Sequence, residues 1–129
     1  MELCQLDKLY VHSLVQYNRV LLQRNRLLKE LAFKPEYETT LDIWDEQLVK
    51  YGVEVITSRR LFIEQLGGII SGIHARLSGG KEEISVLYDP DIREEDFKAA
   101  LEKNRSQDIR QKTTLAGPHR DDINFIVNG

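Results

Sequence analysis

The stretch YVHSLVQYNRVLLQRNRLLKEL, residues 10–31, decides the fold, because its apolar residues recur at alternating steps of four and three. This period of about 3.5 residues, without Gly or Pro, predicts a helix from Leu3 to about Leu31 that packs along a narrow seam, as in a coiled coil. Arg24 occupies the one polar seam position, and we interpret it as a residue that fixes the pairing register. The apolar seam residues are Tyr10, Leu14, Tyr17, Leu21, Leu28 and Leu31.

A second helix follows a break at Pro35, since proline is poorly tolerated inside a helix. Thr39, with Asp42 three residues later, predicts a capping box at the start of this helix. Four glycines within it argue against an unbroken helix, because each costs about 1 kcal/mol relative to Ala. The second seam consists of Trp44, Leu48, Tyr51, Val55, Phe62, Leu66, Ile69 and Ile73, and the glycines are Gly52, Gly67, Gly68 and Gly72.

The loop near Glu36 predicts that the two helices fold back antiparallel, with facing residue numbers that add up to about 72. Charge agrees, because residues 18–34 are mainly basic and residues 36–54 mainly acidic, and such flanking charge sets the pairing orientation. The predicted apolar layers are Leu28 with Trp44, Leu21 with Tyr51, Tyr17 with Val55, and Tyr10 with Phe62. In this register Ile70, Ile73 and Leu77 find no partner, so we expect a segment before Met1 to be missing.

After Gly80 the apolar period changes to about 2, which predicts a strand through Ile84, Val86 and Tyr88. A helix from Pro90 to about Ile109 and a strand INFIV, residues 123–127, follow. Asn128-Gly129 favours a hairpin whose second strand is absent, so we expect the end to be truncated too. The sequence therefore predicts a mainly helical α+β fold, with an antiparallel helical arm over residues 1–79 and an incomplete strand–helix–strand segment over residues 80–129.

The composition is that of one soluble domain of 129 residues, with 41% hydrophobic and 30% charged residues. The net charge of −3 is too small to indicate a basic nucleic-acid tail or an acidic disordered one. A single cysteine excludes an internal disulfide, and neither a secretion signal nor a membrane-length apolar run is visible. We therefore expect a cytoplasmic protein.

The tetrapeptide Leu77-Ser78-Gly79-Gly80 matches the sequence with which ATP-cassette proteins bind the nucleotide held by a partner subunit. A working signature opens a helix, whose free N–H groups and dipole meet the phosphate. Here Lys-Glu-Glu and a strand pattern follow, and aligning a P-loop on Lys81 puts Ala75 and Glu82 at required positions. We interpret Gly79-Gly80 as the end of the second helix and not as a nucleotide site.

The segment TLAGPHRDDINFIVNG, residues 114–129, concentrates unusual residues. His119-Arg120-Asp121 matches the start of a kinase catalytic loop, but Ile126 stands where that motif needs Asn, which excludes a kinase. His119, Asp121 and Asp122 suggest a metal-dependent hydrolase, although hydrogen-bonded loop residues explain them better without a distant third ligand. We call residues 117–122 the GPHRDD block: Gly117, Pro118, His119, Arg120, Asp121 and Asp122.

The GPHRDD block, with Thr114 before it and Ile123, Phe125 and Asn128-Gly129 after it, resembles a distinctive block of the RecF family of bacterial recombination mediators. YNRVLLQRNRLLKE, residues 17–30, and LDIWDEQLVKYG, residues 41–52, are similar to the starts of that family's two arm helices. The resemblance implies an SMC-like, ABC-type ATPase head from which a helical arm projects. It also implies that this chain is an internal fragment, with the arm and adjoining head strands.

The resemblance further implies a DNA replication, repair and recombination protein that takes part in the SOS response. Such a protein binds ATP with Mg, forms a nucleotide-dependent homodimer, engages single-stranded or gapped DNA, and works with RecO and RecR to load recombinase. The family's P-loop, signature and Walker B acid lie outside these 129 residues. We therefore expect this chain by itself to bind no cofactor and to be no enzyme.

Basic residues on the helices are the candidate DNA contacts, because arginine and lysine can bind phosphate without reading sequence. The alternative is that these charges only balance the acidic face opposite. For the GPHRDD block we favour a structural role, in the return from arm to head, over direct contact of His119 or Arg120 with ATP. A coiled-coil interaction module with no nucleotide-linked role is the alternative for the chain as a whole. The candidate DNA contacts are Arg19, Arg26, Lys29, Arg59 and Arg60.

Overall fold

Two long helices dominate the computed structural model, which describes residues 3–79 and 83–128. The predicted mainly helical character is confirmed. The helices are α1 (Leu3–Glu30), α2 (Leu41–Ser78) and α3 (Phe97–Gln111), the strands are β1 (Glu83–Asp89) and β2 (Asp122–Asn128), and short 3-10 turns cover Pro35–Thr40, Glu94–Asp96 and Pro118–Arg120.

Polar contacts show that α1 and α2 run antiparallel. The Ser13 hydroxyl donates to Glu54 (3.0 Å), and Arg24 Nε donates to Asp45 Oδ1 (2.6 Å). The predicted register would place residue 59 opposite Ser13 and residue 48 opposite Arg24, so the observed pairs lie about one helical turn nearer the loop. The apolar residues are nevertheless compatible with the predicted layers, because Tyr17 and Val55 share one core cluster and Trp44 packs against the cluster that contains Leu28.

The predicted capping box at Thr39 and Asp42 is wrong. Thr39 lies inside the 3-10 turn, and Thr40, the residue before α2, has helical dihedrals (φ −66°, ψ −22°) and makes no side-chain cap hydrogen bond. A capping side chain needs an extended backbone at the N-cap so that its oxygen can reach back to the helix N–H groups. The continuous 3-10 to α transition removes that geometry.

The end of α2 bears out the interpretation of Leu-Ser-Gly-Gly as a helix stop. Leu77 and Ser78 are the last helical residues, and Gly79 follows in the left-handed conformation (φ 69°), with its backbone N–H bonded to Ala75 O. Glycine favours this conformation because it has no Cβ to clash with the backbone. Gly80, Lys81 and Glu82 lie outside the described residues. A nucleotide-binding signature lies at the start of a helix, whereas Leu-Ser-Gly-Gly lies at the end of α2.

The four glycines do not interrupt α2, contrary to the expectation from helix propensity. Gly52 is buried, and a Cβ on it would overlap the Phe97 ring of α3 and crowd the Tyr17 ring of α1. Tertiary packing therefore requires glycine at this position, and it outweighs the local cost. Gly68 is exposed, and a Cβ there would meet nothing within 4 Å.

One buried cluster joins both halves of the chain. Tyr17 of α1 and Leu48 and Val55 of α2 pack with Phe97 and Leu101 of α3, and all five are at most 1% exposed. A second cluster near the loop contains Leu27, Leu28, Leu31 and Leu41, with Trp44 and Ile109 packed against it. The division into 1–79 and 80–129 therefore does not correspond to two separate cores, and it stays a prediction about domains.

The two strands pair antiparallel, from Glu83 opposite Asn128 to Asp89 opposite Asp122. The strand β2 begins at Asp122, the last residue of the GPHRDD block, and lies beside β1, which itself packs along α2. A two-stranded sheet is marginal alone, and packing against a helix supports it. The hairpin expected at Asn128-Gly129 involves Gly129, which lies outside the described residues.

An apolar ridge remains on the last three turns of α2. Ile69, Ile73 and Leu77 are 49%, 48% and 84% exposed, as expected for Ile73 and Leu77. Ile70 is only half-buried rather than bare, so the ridge runs through Ile69 instead. None of the helices in the described part of the chain is long and apolar enough to cross a membrane.

The Gly52–Phe97 contact gives a direct test of this packing. Gly52→Ala should lower the free energy of unfolding by about 1–3 kcal/mol, because the added methyl group must displace the Phe97 ring. Gly68→Ala is the matched control on the same helix, and it should raise stability by up to about 1 kcal/mol through helix propensity. Urea unfolding followed by circular dichroism measures both. Equal effects of the two substitutions would contradict the proposed α2–α3 packing.

Candidate functional site

The segment from the end of α3 to β2 lies against both long helices, and its backbone is held by specific contacts. Lys112 ends α3 in the left-handed conformation (φ 59°), and Gly117 has φ 140°. A side chain at Gly117 would collide with the Tyr17 hydroxyl of α1 and touch the His119 ring. Glycine therefore lets the start of the GPHRDD block approach α1 closely.

Arg24 is the centre of a fully buried ionic network. Its side chain is 0% exposed; Nε donates to Asp45 Oδ1 of α2 (2.6 Å), and Nη1 donates to Asp108 Oδ2 of α3 (2.9 Å). Nη1 also donates to Thr114 Oγ1 (2.8 Å), at the start of the return segment. One guanidinium thus connects α1 with three other parts of the chain. Burying a charge is costly unless it is paired and hydrogen-bonded, as it is here.

Neighbouring groups extend this network, in which Arg24 Nη2 is buried without a hydrogen-bond partner among the described residues. The Thr114 hydroxyl and backbone N–H both donate to Asn25 Oδ1 (2.7 and 2.9 Å), and Asp108 Oδ1 accepts from the Leu115 backbone N–H (3.2 Å). Arg105 of α3 donates to Asp45 Oδ2 (2.6 Å) at the edge of the network. Satisfying the remaining oxygens in this way is what makes a buried ion pair tolerable.

Arg59 forms a second clamp, on the GPHRDD block itself. Its Nη1 donates to Pro118 O (2.6 Å) and to Asp121 Oδ2 (2.8 Å), while Nε donates to the Tyr10 hydroxyl (3.0 Å). The Tyr88 hydroxyl of β1 donates to the same Asp121 oxygen. Burial and this carboxylate raise the pKa of Tyr88 above its usual range. The planar guanidinium thus ties α1, α2 and the block together.

Asp91 connects the block to the loop after β1. Its backbone N–H donates to Asp121 Oδ1 (2.8 Å), and its carboxylate accepts from the Gly117 backbone N–H (3.2 Å). Both oxygens of Asp121 are therefore occupied by protein donors. A carboxylate in this state positions a loop, and it is poorly available as a metal ligand or a general base.

His119 is held as a neutral imidazole by two hydrogen bonds. Its Nε2 lies 2.9 Å from Thr114 O, which can only accept, so the proton is assigned to Nε2. Its Nδ1 then accepts from the Tyr17 hydroxyl at 2.7 Å. Burial lowers the pKa of His119, with Arg120 acting in the same direction. Burial and the charge of Asp121 raise the pKa of Tyr17, so the pair stays uncharged.

The remaining block residues differ in accessibility. Arg120 is exposed and has no ion-pair partner among the described residues, and the Asp122 side chain lies outside them. No group of three or more His, Cys, Asp or Glu side chains in the described part of the chain has the arrangement of a metal site. The described residues thus give the metal-hydrolase interpretation no support.

The candidate DNA contacts divide into two groups. Arg19, Arg26 and Lys29 are exposed on α1 and make no ion pair within the described ranges. Arg59 is poorly placed for DNA contact, because its side chain is only 19% exposed and is bonded to Asp121. Arg60 lies between these cases, since it is 41% exposed and paired with Glu94 at 2.6 Å.

Comparisons with known proteins agree along the whole chain. It is 53% identical over 130 residues to the DNA replication and repair protein RecF of Lachnospira eligens, and 48% identical over 129 residues to that of Agathobacter rectalis. A solved structure of the recombination mediator protein RecF-ATP in the RecFOR pathway superposes on 96% of the chain, with a TM-score of 0.85 and 31% identity. Along its length the chain is therefore similar to part of RecF. No family model matches it.

The chain spans about a third of the RecF relatives that it matches, namely 36% of each of these two sequences and 35% of the solved chain. The predicted resemblance to an internal part of RecF is therefore confirmed. A further solved structure, of RecF-ATPrS in the RecFOR pathway, covers 96% of the chain at a TM-score of 0.83.

Sequence reasoning missed the long-range partners of the site. The position of Arg24 in an apolar seam was a signal for a buried charge, but Asp108 lies 84 residues further along the chain. The Tyr17–His119 bond spans 102 residues and has no local signature. A charged residue in a seam therefore predicts that partners exist, while the fold decides which residues they are.

The Arg24 network should dominate the stability of the junction. Arg24→Met keeps the apolar volume but leaves Asp108 without its cation, and it should cost about 3–5 kcal/mol. Arg60→Met is the matched control, and we expect a loss of at most about 1 kcal/mol because Arg60 is 41% exposed and pairs with Glu94 outside the Arg24 network. Guanidinium unfolding measures both variants. Comparable losses of unfolding free energy in the two variants would show that the ion pairs of Arg24 do not dominate the stability of the junction.

His119 should make stability depend on pH. Its pKa is lowered in the fold from an ordinary value of 6.5, so the unfolded chain binds the proton more readily. The stabilisation is therefore complete above about pH 7.5, and it is lost as the pH falls through the unfolded and then the folded pKa. His119→Gln should flatten the change in unfolding free energy between about pH 7.5 and pH 5.5, while the exposed-site control His12→Gln should leave it intact. An unchanged slope in His119→Gln would refute the neutral assignment.

Proposed function

We propose that this chain supplies the helical arm and the adjoining head strands of a RecF-like protein that acts at single-stranded or gapped DNA. The whole protein would bind ATP with Mg, form an ATP-dependent homodimer, and help load recombinase together with RecO and RecR in the cytoplasm. Support comes from the similarity of nearly the whole chain to part of RecF replication and repair proteins and to part of a RecF-ATP structure of the RecFOR pathway.

The nucleotide chemistry would come from other parts of the protein. The 129 residues contain no phosphate-binding P-loop, and Leu-Ser-Gly-Gly ends a helix instead of opening one. Phosphate binding needs free backbone N–H groups at a helix start. We therefore propose that this segment is not an ATPase, and that ATP acts on it through the elements to which it is attached.

The DNA part of the proposal rests on one observation, the outer face of α1. Between Lys8 and Lys29 the helix has no Asp or Glu, and its exposed cations include Arg19 and Arg26. On the facing helix, Asp45 near the start of α2 is already paired with Arg24 and Arg105. An unbalanced line of cations is what a phosphate backbone attracts, independently of base sequence.

The GPHRDD block would connect this arm to the head. Arg59 fixes the block to α2, and the Tyr17–His119 bond fixes it to α1, so the arm and β2 move as one body. We propose that the block is a structural coupler, which leaves the exposed Arg120 as its one candidate for contact with ATP or another anion. Such a rigid coupling suits a protein whose head dimerises on nucleotide while its arm touches DNA.

The alternative, a coiled-coil module without a nucleotide-linked role, explains α1 and α2 but not the rest. It gives no reason for the return segment to be built into the arm through Arg24, Asp108 and Thr114. Binding of ATP by a full-length RecF protein that carries this segment, with a change in its DNA affinity, would separate the two functions.

DNA contact can be tested by removing the unpaired cations. The triple variant Arg19→Gln, Arg26→Gln and Lys29→Gln should weaken binding of a fluorescent gapped duplex, and it should lower the slope of log affinity against log salt by roughly 2–3. The charge-matched control changes three exposed cations of α3 to glutamine: Lys98, Lys103 and Arg110. Fluorescence anisotropy at several salt concentrations gives both quantities. Equal losses in the two triple variants would mean that α1 is not the DNA-binding face.

A further inference from the structure

The outer face of α1 is apolar along its middle, which contact with DNA does not explain. Val11, Val15 and Leu22 are 53%, 45% and 52% exposed. At about 100° per residue their directions fall within about 40° of one another, so they form one stripe. This stripe lies opposite the face that carries Tyr17, Val20 and Arg24 into the core. Exposed apolar side chains in a line indicate a surface for a protein partner.

Basic residues follow this stripe along one side. His12, Arg19 and Arg26 are exposed and spaced seven residues apart, and Lys8 and Lys29 lie at the two ends of the stripe. Seven-residue spacing beside an apolar seam corresponds to the flanking positions of a coiled coil, whose charges select the partner. Since no acidic residue occurs between Lys8 and Lys29, the complementary partner carries carboxylates at its own flanking positions.

A protein helix fits this surface better than the other occupants. Phosphates would pair with Arg19 and Arg26 but would gain nothing from Val15 and Leu22, which DNA would leave at a polar interface. A second α1 of another copy would set cations against cations, which is unfavourable. An amphipathic helix with an apolar stripe and acidic flanks satisfies both the apolar and the charged side chains.

We propose that the outer face of α1, defined by Val11, Val15, Leu22, Arg19 and Arg26, is the docking site for an acidic amphipathic helix of a partner protein. This goes beyond the proposed DNA contact and does not depend on it. Because Arg19 and Arg26 are shared by both, the helix and DNA exclude each other on this face. A partner of this kind would therefore release DNA from the arm or prevent its binding.

The probe is a synthetic helical peptide of about three heptads, with Leu at the seam and Glu at the flanking positions. Two matched peptides carry Lys in place of Glu, or Ser in place of Leu. In fluorescence anisotropy, the acidic Leu peptide should bind the chain at least tenfold more tightly than either control peptide. It should also displace a bound gapped duplex in proportion to its occupancy.

Variants separate this site from the DNA site. The triple apolar variant combines Val11→Thr, Val15→Thr and Leu22→Gln, which preserve side-chain shape or helix propensity. It should bind the acidic peptide at least tenfold more weakly, while its affinity for DNA stays within about twofold. The double variant Arg19→Gln, Arg26→Gln should bind both the peptide and DNA more weakly. Leu61→Gln on α2, an exposed apolar position outside the stripe, is the control and should change neither. Thermal melts show that each variant is folded.

Three results would overturn the proposal. The first is equal affinity of the triple apolar variant and the unchanged chain for the acidic peptide. The second is binding of the Lys peptide as tight as that of the Glu peptide. The third is concentration-dependent self-association of the chain that the apolar variant abolishes, which would assign the stripe to a second copy. If the unchanged chain binds the acidic peptide but not DNA, the DNA proposal is wrong and the docking proposal stands.

Discussion

A single buried guanidinium, that of Arg24, constrains the arrangement of the whole molecule. Its side chain is completely shielded from solvent, and its partners lie on α2, on α3 and on the segment after α3. A buried charge without partners is far more costly than a misplaced apolar residue, because it loses its hydration and receives nothing in return. The three partners must therefore be in place together, which fixes α3 against the hairpin and determines where the chain leaves it.

The position of the GPHRDD block follows from this constraint. Thr114 bonds to Arg24 and Asn25 of α1, so the next residues run along the hairpin, where Arg59 and Tyr17 hold Pro118 and His119. The block begins at Gly117, whose missing side chain lets the backbone reach α1. Its chemistry, a histidine followed by charged residues, thus serves to position the backbone.

The basic side chains of α1 and α2 fall into two groups, those that point into the protein and those that point into solvent. Those that point inward, Arg24 and Arg59, are neutralised by carboxylates and belong to the framework. Those that point outward, among them Arg19 and Arg26, make no ion pair within the described residues and lie beside exposed valine and leucine side chains. Arginine therefore has opposite roles on α1. The inward residues hold the helices to one another and to the GPHRDD block, and the outward ones are available to a ligand of negative charge.

Local pattern in the sequence was sufficient for the elements themselves. The periods of about 3.5 and about 2 located the helices and strands, Gly79 located the end of α2, and the GPHRDD block identified the family, because each depends on neighbours along the chain. The capping box at Thr39 was wrong because a 3-10 turn runs directly into α2, and the glycines do not break α2, in which Gly52 packs against Phe97 of α3. Only the tertiary structure could bring Phe97 against Gly52, Asp108 against Arg24 and His119 against Tyr17, since burial in a shared core, rather than local propensity, selects pairs so far apart in sequence.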